Sequence, residues 1–323
     1  MATPSRFQDS ALVETVGVTR ANLPTALAVL QGGWKSSSIL WMHANRVPTL
    51  SGLVLRGWST EAAESVVHFS RNGNFHELLL RIEEPGQRWT RRRGGYNVAV
   101  AQIDSIVESL AAEGLLAILL EPASPYTDHF SLTCVCEVDS GKIDLEIVGP
   151  GFDASDLLRA DIAPHERFEI TFNNLLATAG SRHKFQANRK YLIDHDKYRA
   201  SVHRRLVKIG ARLRNPSFPE EWMEPSAANS ISEGLAQDAR RYLQESGQTT
   251  LLLRSDRYEP IPVPLLDMFL SELFRVSGAV AESAVSWRTF SLAGSFLSDD
   301  RLTIWDFFPL GNHDTNTLSH LML

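Results

Sequence analysis

The sequence predicts an α+β fold divided into two lobes, and three observations predict it. Its 323 residues exceed the roughly 250–300 that one hydrophobic core supports. Strand-like and helix-like stretches mix without a strict strand–helix–strand rhythm, which disfavours a doubly wound parallel sheet. A helical, strand-poor stretch over 173–245, basic in its first half, separates the early strands from a late pair. The expected division is an N-terminal lobe over 1–118 and a C-terminal lobe over 119–323 that contains the helical segment 173–245.

Taken in order, Asn22 caps a helix running to Leu30. Gly32-Gly33-Trp34-Lys35 leads into a second helix over 36–44, which Val47-Pro48 ends. Residues 50–55 read as a strand, 60–69 as a helix capped by Ser59 or Thr60, and 77–82 as a buried strand. A polar turn segment follows over 83–95. A helix over 98–113 carries apolar residues at 100, 103, 106, 107 and 110, and Gly114 is its stop. Residues 115–120 form an apolar strand. Residues 130–138 and 142–148 pair as a hairpin across Asp139-Ser140-Gly141. A short helix is expected at 155–159, and helices at 201–214 and 232–245. A strand is expected at 249–254, and a last hairpin at 285–292 and 301–307.

Composition excludes several classes. A formal net charge of -6 does not suit a dedicated nucleic-acid surface. No stretch approaches the ~18 apolar residues of a membrane span, and the N-terminus lacks a signal-type apolar run. The expected location is cytoplasmic. Cys134 and Cys136 are the two cysteines. Two apart on a strand, they share a face and are poorly placed to close a disulfide. The Gly-x-Ser-x-Gly elbow, the His-Glu-x-x-His helix and a P-loop are all missing from the sequence.

Several residues can carry chemistry. Lys35 follows two glycines and suits a phosphate, although a lysine after a loop is also an ordinary surface residue. Arg81 ends an apolar strand and either snorkels to solvent or points into a cleft. Arg92, Gly94 and Gly95 stand directly before a helix, where exposed amides and the helix dipole favour an anion; a solvated charge run is the alternative. Glu121-Pro122, after a buried strand, reads as a hinge or a plain strand exit. Glu146 alternates with Asp144 on one strand face, fit for a ribose or Mg2+, or for solvent. Arg159, Asp161 and His165 belong to the densest polar cluster in the chain, a substrate site or a salt-bridged loop.

Set in order, Gly32, Gly33, Lys35, Val47-Pro48, Arg81, Gly94-Gly95, residues 116–121 and Glu146 to Asp161 resemble an ATP-grasp domain. The type is the nucleotide-binding domain of pyruvate phosphate dikinase and phosphoenolpyruvate synthase. The residues around Val285 to Trp287 and Ile304 to Pro309 resemble its closing hairpin. There Ser286 stands at the metal-binding Glu position, Asp306 at a Gln position and Phe308 at an Arg position. The resemblance implies a stand-alone domain, without the phosphohistidine and barrel domains of those enzymes. It implies ATP and Mg2+ as cofactors. Lys35, Arg81, Arg92, Gly94 and Gly95 would bind phosphates, Glu121 would meet adenine, and Glu146 and Asp306 would hold the metal. Arg81, Arg159, Asp161 and His165 would serve the transfer to a small-molecule acceptor.

The expected function is therefore a Mg-dependent phosphotransferase or ligase. The alternative is a nucleotide-binding or protein-interaction module without catalysis, motivated by Ser286 and Phe308. A protein partner could dock through the helices of 182–245, whose basic residues otherwise form a solvated face.

Overall fold

The computed structural model describes residues 12–84, 96–122, 130–149, 164–171, 186–192, 195–215, 229–245, 260–282, 288–297 and 300–310. Two antiparallel sheets with flanking helices make the architecture α+β.

The first sheet has five strands: β1 (Leu12–Glu14), β2 (Gly52–Leu55), β3 (Glu77–Glu83), β4 (Tyr96–Ala99) and β5 (Leu116–Leu120). Their order is β1-β2-β5-β3-β4. Both faces are apolar, because both are covered. One face carries Leu53, Leu55, Leu78, Leu80, Ala117 and Leu119. It packs on α3 (Thr60–Gly73) and α4 (Ile103–Ala112) through Ala62, Val66, Ile103, Val107 and Leu110. The opposite face carries Val13, Val54, Leu79 and Ile118 into a second core shared with the other sheet.

That sheet has six strands: β6 (Ser131–Glu137), β7 (Lys142–Val148), β8 (Glu166–Thr171), β9 (Gln186–Leu192), β10 (Thr289–Phe296) and β11 (Leu302–Pro309). Their order is β11-β10-β6-β7-β8-β9. Its apolar face, with Cys134, Ile143, Leu145, Phe168, Phe290 and Leu292, packs on α7 (Val263–Glu282). At one end of β7, Val148 joins Leu206, Val207, Ala236 and Ala239 of the paired helices α5 (His195–Arg214) and α6 (Asn229–Glu245).

Two helices join the sheets. After α1 (Leu23–Leu30), the helix α2 (Trp34–Ala44) lies against the edge strand β11. Trp41 stacks on Phe307 with centroids 4.6 Å apart, and the Ser38 hydroxyl donates to the Phe307 carbonyl at 2.9 Å. The edge itself is covered where Ile304 N–H donates to the Pro48 carbonyl at 2.7 Å.

Several expectations hold. Gly114 and Gly141 take positive φ at the helix stop and hairpin turn that the sequence predicts. Cys134 and Cys136 are both buried and free. Others are corrected. Residues 96–99 are the edge strand β4, and α4 begins only at Ile103. Residues 186–192, within the stretch expected to be helical, form β9. Strands β1 and β8 and the helix α7 are additional to the elements the sequence predicts. The helix at 155–159 and the strand at 249–254 lie outside the described residues.

Candidate functional site

The inward row of β3 is Leu79, Arg81, Glu83, because alternate side chains share a face. Arg81 stands opposite Ile118 and is inside the strand rather than at its end, since pairing continues to Glu83 opposite Leu116. Its guanidinium reaches across to the other sheet. Nη2 lies 2.8 Å from Asp306 Oδ1 and Nη1 donates to the Trp305 carbonyl at 3.0 Å. The two charged side chains are only 11% and 16% exposed. A bulge presents that carbonyl: Ala293 pairs with Asp306 and Gly294 with Ile304, so Trp305 stands outside the ladder.

Glu83, two residues on, points at the start of α2. Its carboxyl accepts from Lys35 N–H at 2.5 Å and from Ser36 N–H at 3.2 and 3.3 Å. It thereby serves the free amides that open a helix. Burial pushes its pKa up, and the hydrogen bonds from Ser36, Gly33 and Lys35 pull it back. Of the two glycines before the helix, Gly33 makes room for this carboxyl and Gly32 for the Ser36 side chain. A Cβ on Gly33 would lie 2.7 Å from Glu83 Oε1, and one on Gly32 would lie 2.1 Å from Ser36 Oγ. The start of α2, where Lys35 after two glycines is expected to meet a phosphate, is thus filled by a side chain of the same protein.

Cross-strand register places the two carboxylates expected to share a metal. Asp306 pairs with Ala293, Ala293 with Thr133, Thr133 with Glu146, and Glu146 with Arg167. Directly opposed residues point to the same side, so these five form one row. Asp306 and Glu146 are nevertheless three strands apart, about 14 Å at about 4.8 Å per step. Ligand oxygens of one Mg2+ lie at about 2.1 Å from it, so one ion does not join the two. Glu146 instead lies 4.0 Å from Arg167 Nη1, and Arg167 grips Asp144, its Nε at 2.8 Å from Oδ1. Burial raises the Glu146 pKa, Arg167 lowers it and Asp144 raises it again. Among the described residues no group of three or more His, Cys, Asp or Glu could hold a metal ion.

Glu121 follows β5 and is tied to the first sheet. Its Oε1 accepts from Ser51 N–H at 3.2 Å, and its own N–H donates to the Ser51 carbonyl at 2.8 Å. Beside it, His43 Nε2 meets the Leu50 carbonyl at 3.0 Å. Burial lowers the His43 pKa, against that carbonyl and the Glu121 charge, which raise it. His165 is 1% exposed, and its Nδ1 accepts from Gly149 N–H at 2.5 Å. An accepting Nδ1 requires the neutral ring. Burial pushes its pKa down to about 3. This histidine holds the end of β7 against the start of β8. Arg92, Gly94, Gly95, Arg159, Asp161 and Ser286 lie outside the described residues. Sequence reasoning does not single out Glu83 or Arg167. The signal for Glu83 was present: an acid two residues after Arg81 on an apolar strand must face the same interior.

No family model matches the chain, and no curated protein matches it. Among solved structures it is similar to D-alanyl-alanine synthetase A from Vibrio cholerae O1 biovar eltor, with a TM-score of 0.34 and 9% identity. The match covers 88% of this chain and 56% of that one, so the chain spans about half the length of the protein it matches. No described helix is long and apolar enough to cross a membrane.

Proposed function

We propose that the protein binds ATP where the two sheets meet and acts as a phosphotransferase or ligase of ATP-grasp type on a small-molecule acceptor. The observation that carries the reading is the Arg81–Asp306 pair: a cation from one sheet and a carboxylate from the other, both largely withdrawn from water. A guanidinium suits phosphate oxygens because its fork donates in parallel. The order of sequence features that resembles an ATP-grasp domain supplies the rest.

In this reading Arg81 orients the terminal phosphates and offsets the charge that gathers on them. Positioning and charge stabilisation of this kind do most of the work in phosphoryl transfer. Lys35, anchored through its backbone by Glu83, stands at the same end of β3. A magnesium ion on Asp306 would neutralise further phosphate charge. Glu146 lies too far along the row to share that ion and belongs with Arg167 and Asp144.

A second reading has its own observation. Glu83 already fills the start of α2 beside Lys35, leaving fewer groups there for the transferred phosphate, which favours a nucleotide-binding module without turnover. A thermal-shift series with ATP, GTP and MgCl2 tests binding, since a ligand of the folded state raises apparent stability by mass action. Phosphate release from bound ATP then separates the readings. A chain with no shift under any nucleotide would sink both.

A further inference from the structure

We infer that the face of the second sheet around Thr133, Val135 and Glu146 binds a small organic cation, a primary ammonium on a short alkyl stem. The patch stands apart from the nucleotide site proposed above, with Glu146 three strands from Asp306 along the same row. Register assembles it. Thr133 stands directly opposite Glu146 and Val135 opposite Asp144, so the four side chains share one face. β6 is an inner strand, with β10 on one side and β7 on the other, yet Val135 is 38% exposed. The face is therefore open to solvent at that point.

Two observations give the chemistry of the occupant. Arg167 spends its fork on Asp144, with Nε 2.8 Å from Oδ1 and Nη2 on Oδ2. Its remaining nitrogen, Nη1, lies 4.0 Å from Glu146, beyond hydrogen-bond distance. Two carboxylates thus share one cation, and Glu146 accepts no hydrogen bond from a described residue. The second observation is the Thr133 hydroxyl. Thr133 is only 8% exposed, and its hydroxyl has no hydrogen-bond partner among the described residues. Ser291, opposite Val135, is also 8% exposed and its hydroxyl is likewise unpartnered there. A withdrawn hydroxyl without a partner is costly, and Thr133 faces the carboxylate that lacks a donor. An ammonium group meets both needs, with positive charge and several N–H donors for the Glu146 carboxylate and Thr133 Oγ1. Val135 offers its alkyl stem an apolar contact. A hydrated metal ion makes no use of Val135, and no described group of three or more metal-ligating residues could hold one.

The experiment is saturation-transfer NMR on the intact chain with n-butylammonium chloride, at an ionic strength held constant with NaCl. The wild type should bind with a Kd of about 1–10 mM, within reach of so small a ligand. Butyrate, of similar shape and opposite charge, should not bind. Glu146→Gln, which keeps the shape and removes the charge, should weaken binding by at least about fivefold. Thr133→Val, at nearly constant volume, should weaken it by about twofold or more. The same variant should equal or exceed the wild type in urea unfolding, the opposite of what a structural role for the hydroxyl would give. A wild type that shows no transfer overturns the site, as does an unchanged Kd in Glu146→Gln. Full displacement by an equal concentration of MgCl2 would mean a patch that attracts any cation, and overturns it as well. Each of these results leaves the nucleotide reading to its own thermal-shift test.

Discussion

Replacing Gly33 by alanine tests the claim that this glycine makes room for Glu83. The backbone at Gly33 has φ -98 and ψ -153, extended values that alanine tolerates, so any penalty must come from the added methyl. That Cβ would lie 2.7 Å from Oε1, 2.9 Å from Cδ and 3.1 Å from Cγ of Glu83, where ordinary contact begins at 3.4 Å. The carboxyl must retreat by roughly 0.7 Å into a site where Glu83 is 1% exposed. Retreat stretches its bonds to Lys35 and Ser36 N–H. Losing one bond to a charged group costs about 1.5–3 kcal/mol, and alanine is a poorer helix cap than glycine by up to about 1 kcal/mol. Gly33→Ala should therefore destabilise by about 2–4 kcal/mol in urea unfolding, with the slope unchanged. In a Glu83→Ala background the clash is gone, and the same substitution should cost no more than about 1 kcal/mol. Additive effects in the double variant, or a single variant within about 0.5 kcal/mol of wild type, would refute the close-approach argument.

Three further outcomes are expected. His165 has a folded pKa near 3 against 6.5 unfolded, so its linkage costs nothing above pH 6.5. As pH falls below that, the unfolded chain takes up a proton that the folded chain refuses, and stability drops by about 1.4 kcal/mol per pH unit, about 2 kcal/mol by pH 5. Comparing stability at pH 7 and pH 5 in wild type and His165→Asn checks this, and equal pH slopes would contradict it. Burial holds the Cys136 thiol up at about 11 and raises that of Cys134 further, so neither should react with iodoacetamide at pH 8 until the protein unfolds; labelling of the native chain at the unfolded rate would refute that. Glycine to alanine should have opposite signs in two helices. At Gly210 of α5 the Cβ would lie 1.9 Å from the Leu235 carbonyl oxygen of α6, so Gly210→Ala should destabilise by about 1–3 kcal/mol. At Gly278 of α7 it meets nothing within 4 Å, so Gly278→Ala should stabilise by about 0.5–1 kcal/mol. Equal signs in thermal melts would count against the packing of α5 on α6.

The elements legible in the sequence are those whose signal is local. Residues 142–148 alternate as β7 does, with Gly141 at the turn, and Ser59 caps α3 by accepting from Ala62 N–H at 3.1 Å. The less legible strands lie mostly at sheet edges: β1, β4 and β9 each have one partner, so one side of each lacks the pairing that marks a central strand. Pro264 lies in the first turn of α7, where its missing N–H has no consequence.

From the sequence alone follow the mixed fold class, the strand-and-turn units and a set of residues able to meet phosphate. Only the tertiary structure decided their partners. Register set Asp306 and Glu146 in one row yet three strands apart, and the approach of α2 to β3 brought Gly33 against Glu83. Strand order and the closure of one sheet on another join residues more than 200 positions apart, as at Arg81 and Asp306. Periodicity extends over a few turns and carries no information at that range. Which side chain a cation meets is settled by that packing, and here it is a carboxylate of the same chain.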